Sequence, residues 1–172
     1  MINAFIIVAH TADGFIAPAS KDGQAVPSTV WTSGADKKHF IELTKKAGVI
    51  IMGLNTYYTI GKPLPKRLNI VYAPAGTAPI DGVEMTDKAP TELLADLEKR
   101  GFSEAAICGG STVYTMFAKA GLVDRIYITI EPKLFGKGMT IFNDSLDLNL
   151  SLSNITRPSD DVLILEYKVK KN

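Results

Sequence analysis

Short, almost wholly apolar runs that end at glycine or a turn constrain this chain more than any other feature. Residues 2–9 make one such run, Val49-Ile-Ile-Met52 makes a second that ends at Gly53, and Glu104–Cys108 makes a third that ends at Gly109-Gly110. A run with no polar alternation has no face to offer water. It therefore fits a strand buried on both sides rather than one lying on a solvated surface. Between these runs the pattern changes to a helical period. Over 34–46, Ala35, Asp36, His39, Phe40, Leu43 and Ala47 fall on one face, while Lys37, Lys38, Lys45 and Lys46 lie largely off it. Strands alternating with helices predict an α/β fold with a mostly parallel central sheet and helices on both faces.

The remaining elements follow from similar signals. A short helix is expected after Gly53, a strand over Leu68–Tyr72, an amphipathic helix over Thr91–Arg100 ended by Gly101, a helix over 111–120 and a strand over Arg125–Ile130. Residues 147–156 and 161–169 alternate around Arg157-Pro-Ser-Asp160, which predicts an antiparallel C-terminal hairpin. Residues 10–30 are rich in Gly, Pro, Ser and Asp and read as a long loop, a length that is uncommon in a compact domain and is often a functional lid. With 172 residues and no repeat or linker, the chain is expected to form one domain, 1–172.

Composition narrows the function classes. Charged residues are 22% of the chain, the formal net charge is +1, and no basic stripe of the kind nucleic acid requires is present. Cys108 is the single cysteine, so no internal disulfide can form, and His10 and His39 stand in no metal-like spacing with it. No metal is expected. The apolar N-terminus is short, lacks a basic leader and reads as a first strand rather than a signal peptide, and no apolar run approaches the ~20 residues of a membrane helix. A cytoplasmic protein acting on a small molecule, as a monomer or homodimer, with no nucleic-acid or membrane partner, is the expectation.

Residues 31–71 hold most of the candidate chemistry. Asp36 shares its helical face with Phe40 and Leu43, where partial desolvation raises a carboxyl group's affinity for a proton. Ser33-Gly-Ala-Asp36 also fits a capping arrangement, with Ser33 as N-cap and Asp36 in the first turn. The two readings are compatible. Trp31, the only tryptophan, closes the long loop and precedes that helix, so its indole N–H could hold a water near the acid. Arg67 follows Pro63-Leu-Pro-Lys66 and could offer a planar fork to a carboxylate, or be an ordinary exposed arginine ahead of a strand. Met52-Gly53 and Cys108-Gly109-Gly110 are strand–glycine–helix junctions, and free N–H groups at a helix start attract phosphate. Neither matches Gly-x-Gly-x-x-Gly, but two such junctions on one sheet edge could span a dinucleotide.

Together these residues resemble dihydrofolate reductase. Trp31, Asp36 and Phe40 keep the family's Trp-x4-Asp-x3-Phe spacing, and Ile51-Met-Gly-Leu-Asn-Thr56 resembles its strand and helix start. Ile60-Gly-Lys-Pro-Leu-Pro-Lys-Arg67-Leu-Asn-Ile70 is similar to its Pro-Leu-Pro segment, Gly109–Tyr114 to its Gly-Gly loop, and Ile126–Thr129 to its later strand. The resemblance covers nearly the whole chain. It implies a single-domain dihydrofolate-reductase-like fold and hydride transfer from NADPH, with NADH possible, to 7,8-dihydrofolate to give tetrahydrofolate. Asp36 would promote protonation of the pterin N5, aided by Trp31. Phe40, Ile60 and Leu64 would line the benzoyl pocket and Arg67 would bind the glutamate α-carboxylate. Ile7, Val8 and Ala9 would border the pterin, with Cys108, Tyr114 and Thr129 nearby. Gly53, Leu54, Asn55 and Thr56, with Gly109, Gly110, Ser111, Thr112, Val113 and Tyr114, would hold the dinucleotide, in a site that Ala9, Ile16 and Tyr72 complete.

Other segments resemble the riboflavin-pathway 5-amino-6-(5-phosphoribosylamino)uracil reductase, which has the same fold. They are Asp13-Gly-Phe-Ile-Ala17, Trp31-Thr-Ser33, and Gly121–Arg125 through Pro132–Gly138. Leu54, Ala73 and Pro74 stand where dihydrofolate reductases often place Arg and Ser or Thr on the cofactor 2′-phosphate, so a weakened preference for NADPH over NADH is expected.

Overall fold

A computed structural model describes residues 2–20 and 26–171. The strands are β1 (Asn3–Thr11), β2 (Phe15–Pro18), β3 (Val49–Gly53), β4 (Leu68–Tyr72), β5 (Glu84–Thr86), β6 (Glu104–Ile107), β7 (Arg125–Glu131), β8 (Gly138–Thr140), β9 (Leu150–Thr156) and β10 (Leu163–Val169). The helices are α1 (Gly34–Ala47), α2 (Leu54–Ile60), α3 (Pro90–Lys99) and α4 (Ser111–Lys119), with a 3-10 turn over Ser28–Val30. Eight strands form one sheet in the order β5-β4-β3-β6-β1-β7-β10-β9. From β5 to β7 every pairing is parallel, and β10 joins β7 and β9 antiparallel. This is the α/β architecture that the sequence pattern predicts.

The uninterrupted apolar runs are explained by the two faces. Ala4, Ile6 and Val8 of β1 and Val49 and Ile51 of β3 pack with Leu93, Leu94 and Leu97 of α3 and Val113, Phe117 and Ala118 of α4. The alternate residues Phe5, Ile7, Ile50 and Met52 face the other way, onto Ala47 of α1 and Tyr57 of α2, with Phe40 and Leu43 beside them. Each strand thus needs apolar side chains at every position. Expected element boundaries agree with the observed ones to within a few residues.

The segment expected as loop over 10–30 is more ordered than predicted. β1 continues to Thr11, and Phe15–Pro18 form β2, which pairs antiparallel with β8 in a separate two-stranded sheet. Both strands are too short for periodicity to reveal, and each exists only because the other, more than a hundred residues away, supplies its ladder bonds. β5, a three-residue edge strand on β4, escaped prediction for the same reason. Residues 21–25 of the expected lid lie outside the described residues.

Candidate active site

The parallel strands end together, and a cavity of about 720 Å³ opens over their carboxyl ends, the edge where open α/β sheets bind ligands. Its wall is built from Ile7, Val8 and Ala9 of β1, Gly53 at the end of β3, Leu54, Asn55 and Thr56 of α2, Tyr72 of β4, and Cys108 to Tyr114 across the second glycine junction. Ile16, Asp36 and Phe40 complete the predicted set that lines it. Asp36 is the one charged side chain among the described lining residues.

Asp36 is placed by the start of α1. The Ser33 hydroxyl accepts a hydrogen bond from the Asp36 N–H at 3.1 Å, so the N-cap predicted from Ser33-Gly-Ala-Asp36 is present. The reciprocal half of a capping box, in which the acid would accept from the cap residue's own N–H, goes elsewhere. The Ser33 N–H donates to Oε1 of Glu131 at 2.9 Å, and the Ser33 hydroxyl donates to the same oxygen at 2.8 Å. The Asp36 carboxyl is therefore released from the cap and faces the cavity. Burial raises its pKa above the ordinary Asp value, the Thr129 and Thr32 hydroxyls oppose that rise, and the charge of Glu131 adds to it.

Five predicted substrate-side residues are not among this lining. Thr129, fully enclosed in β7, faces Asp36. Ile60 and Leu64 join the apolar cluster that contains Phe40 and Cys108. Arg67 is half-buried; its Nη1 donates to the Thr44 hydroxyl at 2.7 Å and its Nε to the Pro65 carbonyl at 3.1 Å. Thr44 belongs to α1, so the guanidinium is braced against the helix that carries Asp36. Trp31 stacks edge-on against Phe135 with ring centroids 5.2 Å apart, and its buried indole N–H has no partner. The Pro-Leu-Pro turn is pinned by Asn69, whose amide oxygen accepts from Leu64 N–H at 2.8 Å and whose amide nitrogen donates to the Leu64 and Arg67 carbonyls.

The two glycine junctions touch. Gly53 N–H donates to the Gly109 carbonyl at 2.7 Å, and the Gly109–Gly110 peptide is cis. Gly53 and Gly110 are the N-caps of α2 and α4, and neither helix start is closed by a side chain. At Gly109, with φ of 105°, a Cβ would press on the Tyr114 ring at 3.0–3.2 Å, so glycine is required for both conformation and space. Tyr114 in turn donates to the Ile7 carbonyl at 2.9 Å, fixing α4 to β1. Burial pushes the Cys108 thiol and the Tyr72 phenol each up to about 12, so both are neutral at physiological pH. The Tyr72 hydroxyl is a further buried polar atom without a partner.

One wall of the cavity was missed from the sequence. Gly138, Met139 and Thr140 of β8 and Ala17 of β2 line it; Val26, Ser28, Thr59 and Asn143 are further unpredicted lining residues, and Pro74, read at the cofactor 2′-phosphate position, also lines the cavity. The Asp13 carboxylate accepts from Thr11 Oγ1 and from the N–H groups of Phe135 and Gly136, tying the start of the loop to the approach to β8. The sequence signals for this wall were the Asp13–Ala17 and Pro132–Gly138 segments and the glycines at 136 and 138.

The dihydrofolate reductase family profile matches residues 5–153. The type 3 dihydrofolate reductase of Salmonella typhimurium is 36% identical over 135 residues, covering 76% of this chain and 77% of its own. A dihydrofolate reductase from Enterococcus faecalis, solved with NADP(H) and RAB-propyl, superposes with a TM-score of 0.73 at 22% identity, covering 98% of this chain and 97% of its own. The deaminase and 5-amino-6-(5-phosphoribosylamino)uracil reductase of Thermotoga maritima superposes with a TM-score of 0.77 at 18% identity, covering 98% of this chain but only 57% of its own. The two solved structures share the fold; the family profile and the Salmonella relative go further, and by them the chain belongs to the dihydrofolate reductase family.

Proposed function

We propose that the chain, as a single domain over residues 1–172, reduces 7,8-dihydrofolate to tetrahydrofolate with NADPH. One observation carries this reading: the sole charge on the described cavity wall is a carboxyl group freed from its helix cap and biased by burial toward holding a proton. A flat heterocycle with a basic ring nitrogen suits that arrangement. Its rings would lie against Ile7, Val8 and Phe40, with Thr129 and Asp36 at the polar edge and Trp31 N–H holding a water beside the acid. Ile60 and Leu64 extend the apolar surface toward Arg67. The described bonds of Arg67 use its Nε and one Nη1 hydrogen, leaving Nη2 for a substrate carboxylate.

The cavity fits a dinucleotide. Two uncapped helix starts meet at Gly53 and Gly109, and the buried Tyr72 hydroxyl lacks a partner on the same wall. Gly53 to Thr56 and Gly109 to Tyr114 would hold the cofactor, whose nicotinamide supplies the hydride. The protein's part is to orient the two rings, exclude water and hold the proton at Asp36.

The second reading is reduction of 5-amino-6-(5-phosphoribosylamino)uracil. It is favoured by the pairing of β2 with β8, since Asp13–Ala17 and Pro132–Gly138 are segments similar to that enzyme family. Against it, the described lining presents one carboxyl group, Asp36, within a largely apolar surface, which suits a flat pterin better than a phosphorylated ribose. Turnover of each substrate with NADPH and NADH separates the readings. For dihydrofolate, Arg67→Ala should weaken binding by roughly 10- to 150-fold, the equivalent of about 1.5–3 kcal/mol for a charge-assisted contact. A pterin without the glutamate tail should bind both forms alike. Equal losses for the two ligands, or turnover of the pyrimidine alone, would reject the assignment.

A further inference from the structure

The acid of this site does not stand alone. Glu131 closes β7 two residues after Thr129, so both side chains project from the same face of the sheet, toward α1. It is 3% exposed. Its described hydrogen bonds come from Ser33 alone, the N–H at 2.9 Å and the hydroxyl at 2.8 Å, and no Lys or Arg pairs with it among the described residues. A buried carboxylate without a cation places its field on the groups around it, and Asp36, whose N–H is bound by the same Ser33, is one of them.

We propose that Glu131 is a positioning residue that governs Asp36 in two ways: it takes the Ser33 N–H, which leaves the Asp36 carboxyl free of the cap, and it sets a second buried carboxyl group, unpaired with any described cation, across Ser33 from the acid. The negative charge of Glu131 favours the protonated form of Asp36. The other groups facing Asp36 do not reverse this. Thr129 on β7 and Thr32 ahead of α1 are neutral hydroxyls that favour the carboxylate. His39, one turn along α1, would favour the carboxylate if charged, but its own burial lowers its pKa and keeps it neutral near pH 7. Tyr114 on α4 is pushed well above the phenol range by burial and remains neutral.

The inference rests on the reading of Asp36 as the proton-holding group, so the test reads Asp36 directly as well as through turnover. Glu131→Gln keeps an oxygen that can accept from Ser33 and removes the charge. In the full-length protein, a 13C-detected carboxyl titration, with Asp36→Asn to assign the signal, should show the Asp36 midpoint falling by roughly one pH unit in Glu131→Gln. The single-turnover rate of dihydrofolate reduction should keep its low-pH plateau, while its midpoint moves down by the same amount and the rate at pH 7 falls by up to about tenfold. Glu131→Asp, which retains the charge, should keep the midpoint near wild type. If Glu131 only braces the helix, both variants would lower the plateau with no change of midpoint. An unmoved or rising Asp36 midpoint in Glu131→Gln overturns the inference. The titration decides it even if dihydrofolate proves not to be the substrate, because it needs no turnover; failure of turnover with an intact shift would reject the substrate and leave the pair standing.

Discussion

At Asp36 a helix cap and a cavity acid could have competed for one carboxyl group, and the competition is resolved by division of labour. The backbone N–H of Asp36 is bound by Ser33, while the side chain is spared because Glu131 takes the Ser33 N–H. Asp36→Asn therefore leaves the cap intact and isolates the carboxyl. Hydride transfer near pH 7 should fall by roughly 10²–10⁴-fold in that variant, measured in a single turnover. The same variant should be more stable. A group whose folded pKa is raised contributes stability that is full below its unfolded value, about 3.9 for Asp, and is lost as pH rises through the folded value. Wherever the folded group ionises, the wild type therefore carries a buried charge that Asn lacks. The Tm of Asp36→Asn should exceed that of wild type at pH 7, and the difference should shrink as pH falls toward 4. A rate within a few-fold of wild type would remove Asp36 from the chemistry. The Asp36 position and its cap were legible because both lie within four residues. Glu131 was not, because its partner Ser33 is 98 residues away in sequence and nothing local marks it.

At the scale of elements, the least legible feature was the pairing of β2 with β8. Local pattern identifies a strand by its own periodicity, and four residues ending in Pro18 against three beginning with Gly138 carry almost none. Their register depends on one close approach. A Cβ at Gly138 would sit 2.1 Å from the Ala17 carbonyl oxygen, so the backbones could not keep their present separation. Gly138→Ala should open this ladder at a cost of about 1–3 kcal/mol. The Ala19 N–H, which now bonds to the Lys137 carbonyl at 3.0 Å, should exchange with solvent about tenfold faster or more, because 1.4 kcal/mol is a factor of ten. Unchanged Ala19 exchange, read by NMR, would show that the wall has slack that the geometry denies. The long central elements needed no such help. β1, β3 and β6 declare themselves as runs buried on two faces, and α1 does so by the one-sided placement of its lysines.

For the molecule as a whole, the sequence pattern gave the order of layers, the parallel sheet and the antiparallel end, since these follow from which residues can face water. It also brought both glycine junctions to one sheet edge. Cavity depth and composition were beyond it, because they depend on which side chains converge from stretches of chain far apart in sequence. That composition bears on cofactor choice. Leu54 and Pro74 line the cavity and carry neither charge nor donor, and no described lining residue is cationic. The preference for NADPH over NADH should therefore be small. Leu54→Arg should sharpen it by about 1–3 kcal/mol, read as the ratio of kcat/KM values in the two forms. A strong wild-type preference that Leu54→Arg leaves unchanged would mean that a residue elsewhere already grips the 2′-phosphate. A cavity whose only charge among the described lining residues is Asp36 also has a kinetic consequence. A dinucleotide carrying several negative charges would meet no cationic side chain among the described lining residues. Its capture is then governed by diffusion and fit, at about 10⁵–10⁷ M⁻¹s⁻¹, and should vary little with ionic strength. Such a site takes its ligand at the same pace in dilute buffer and in a salty interior.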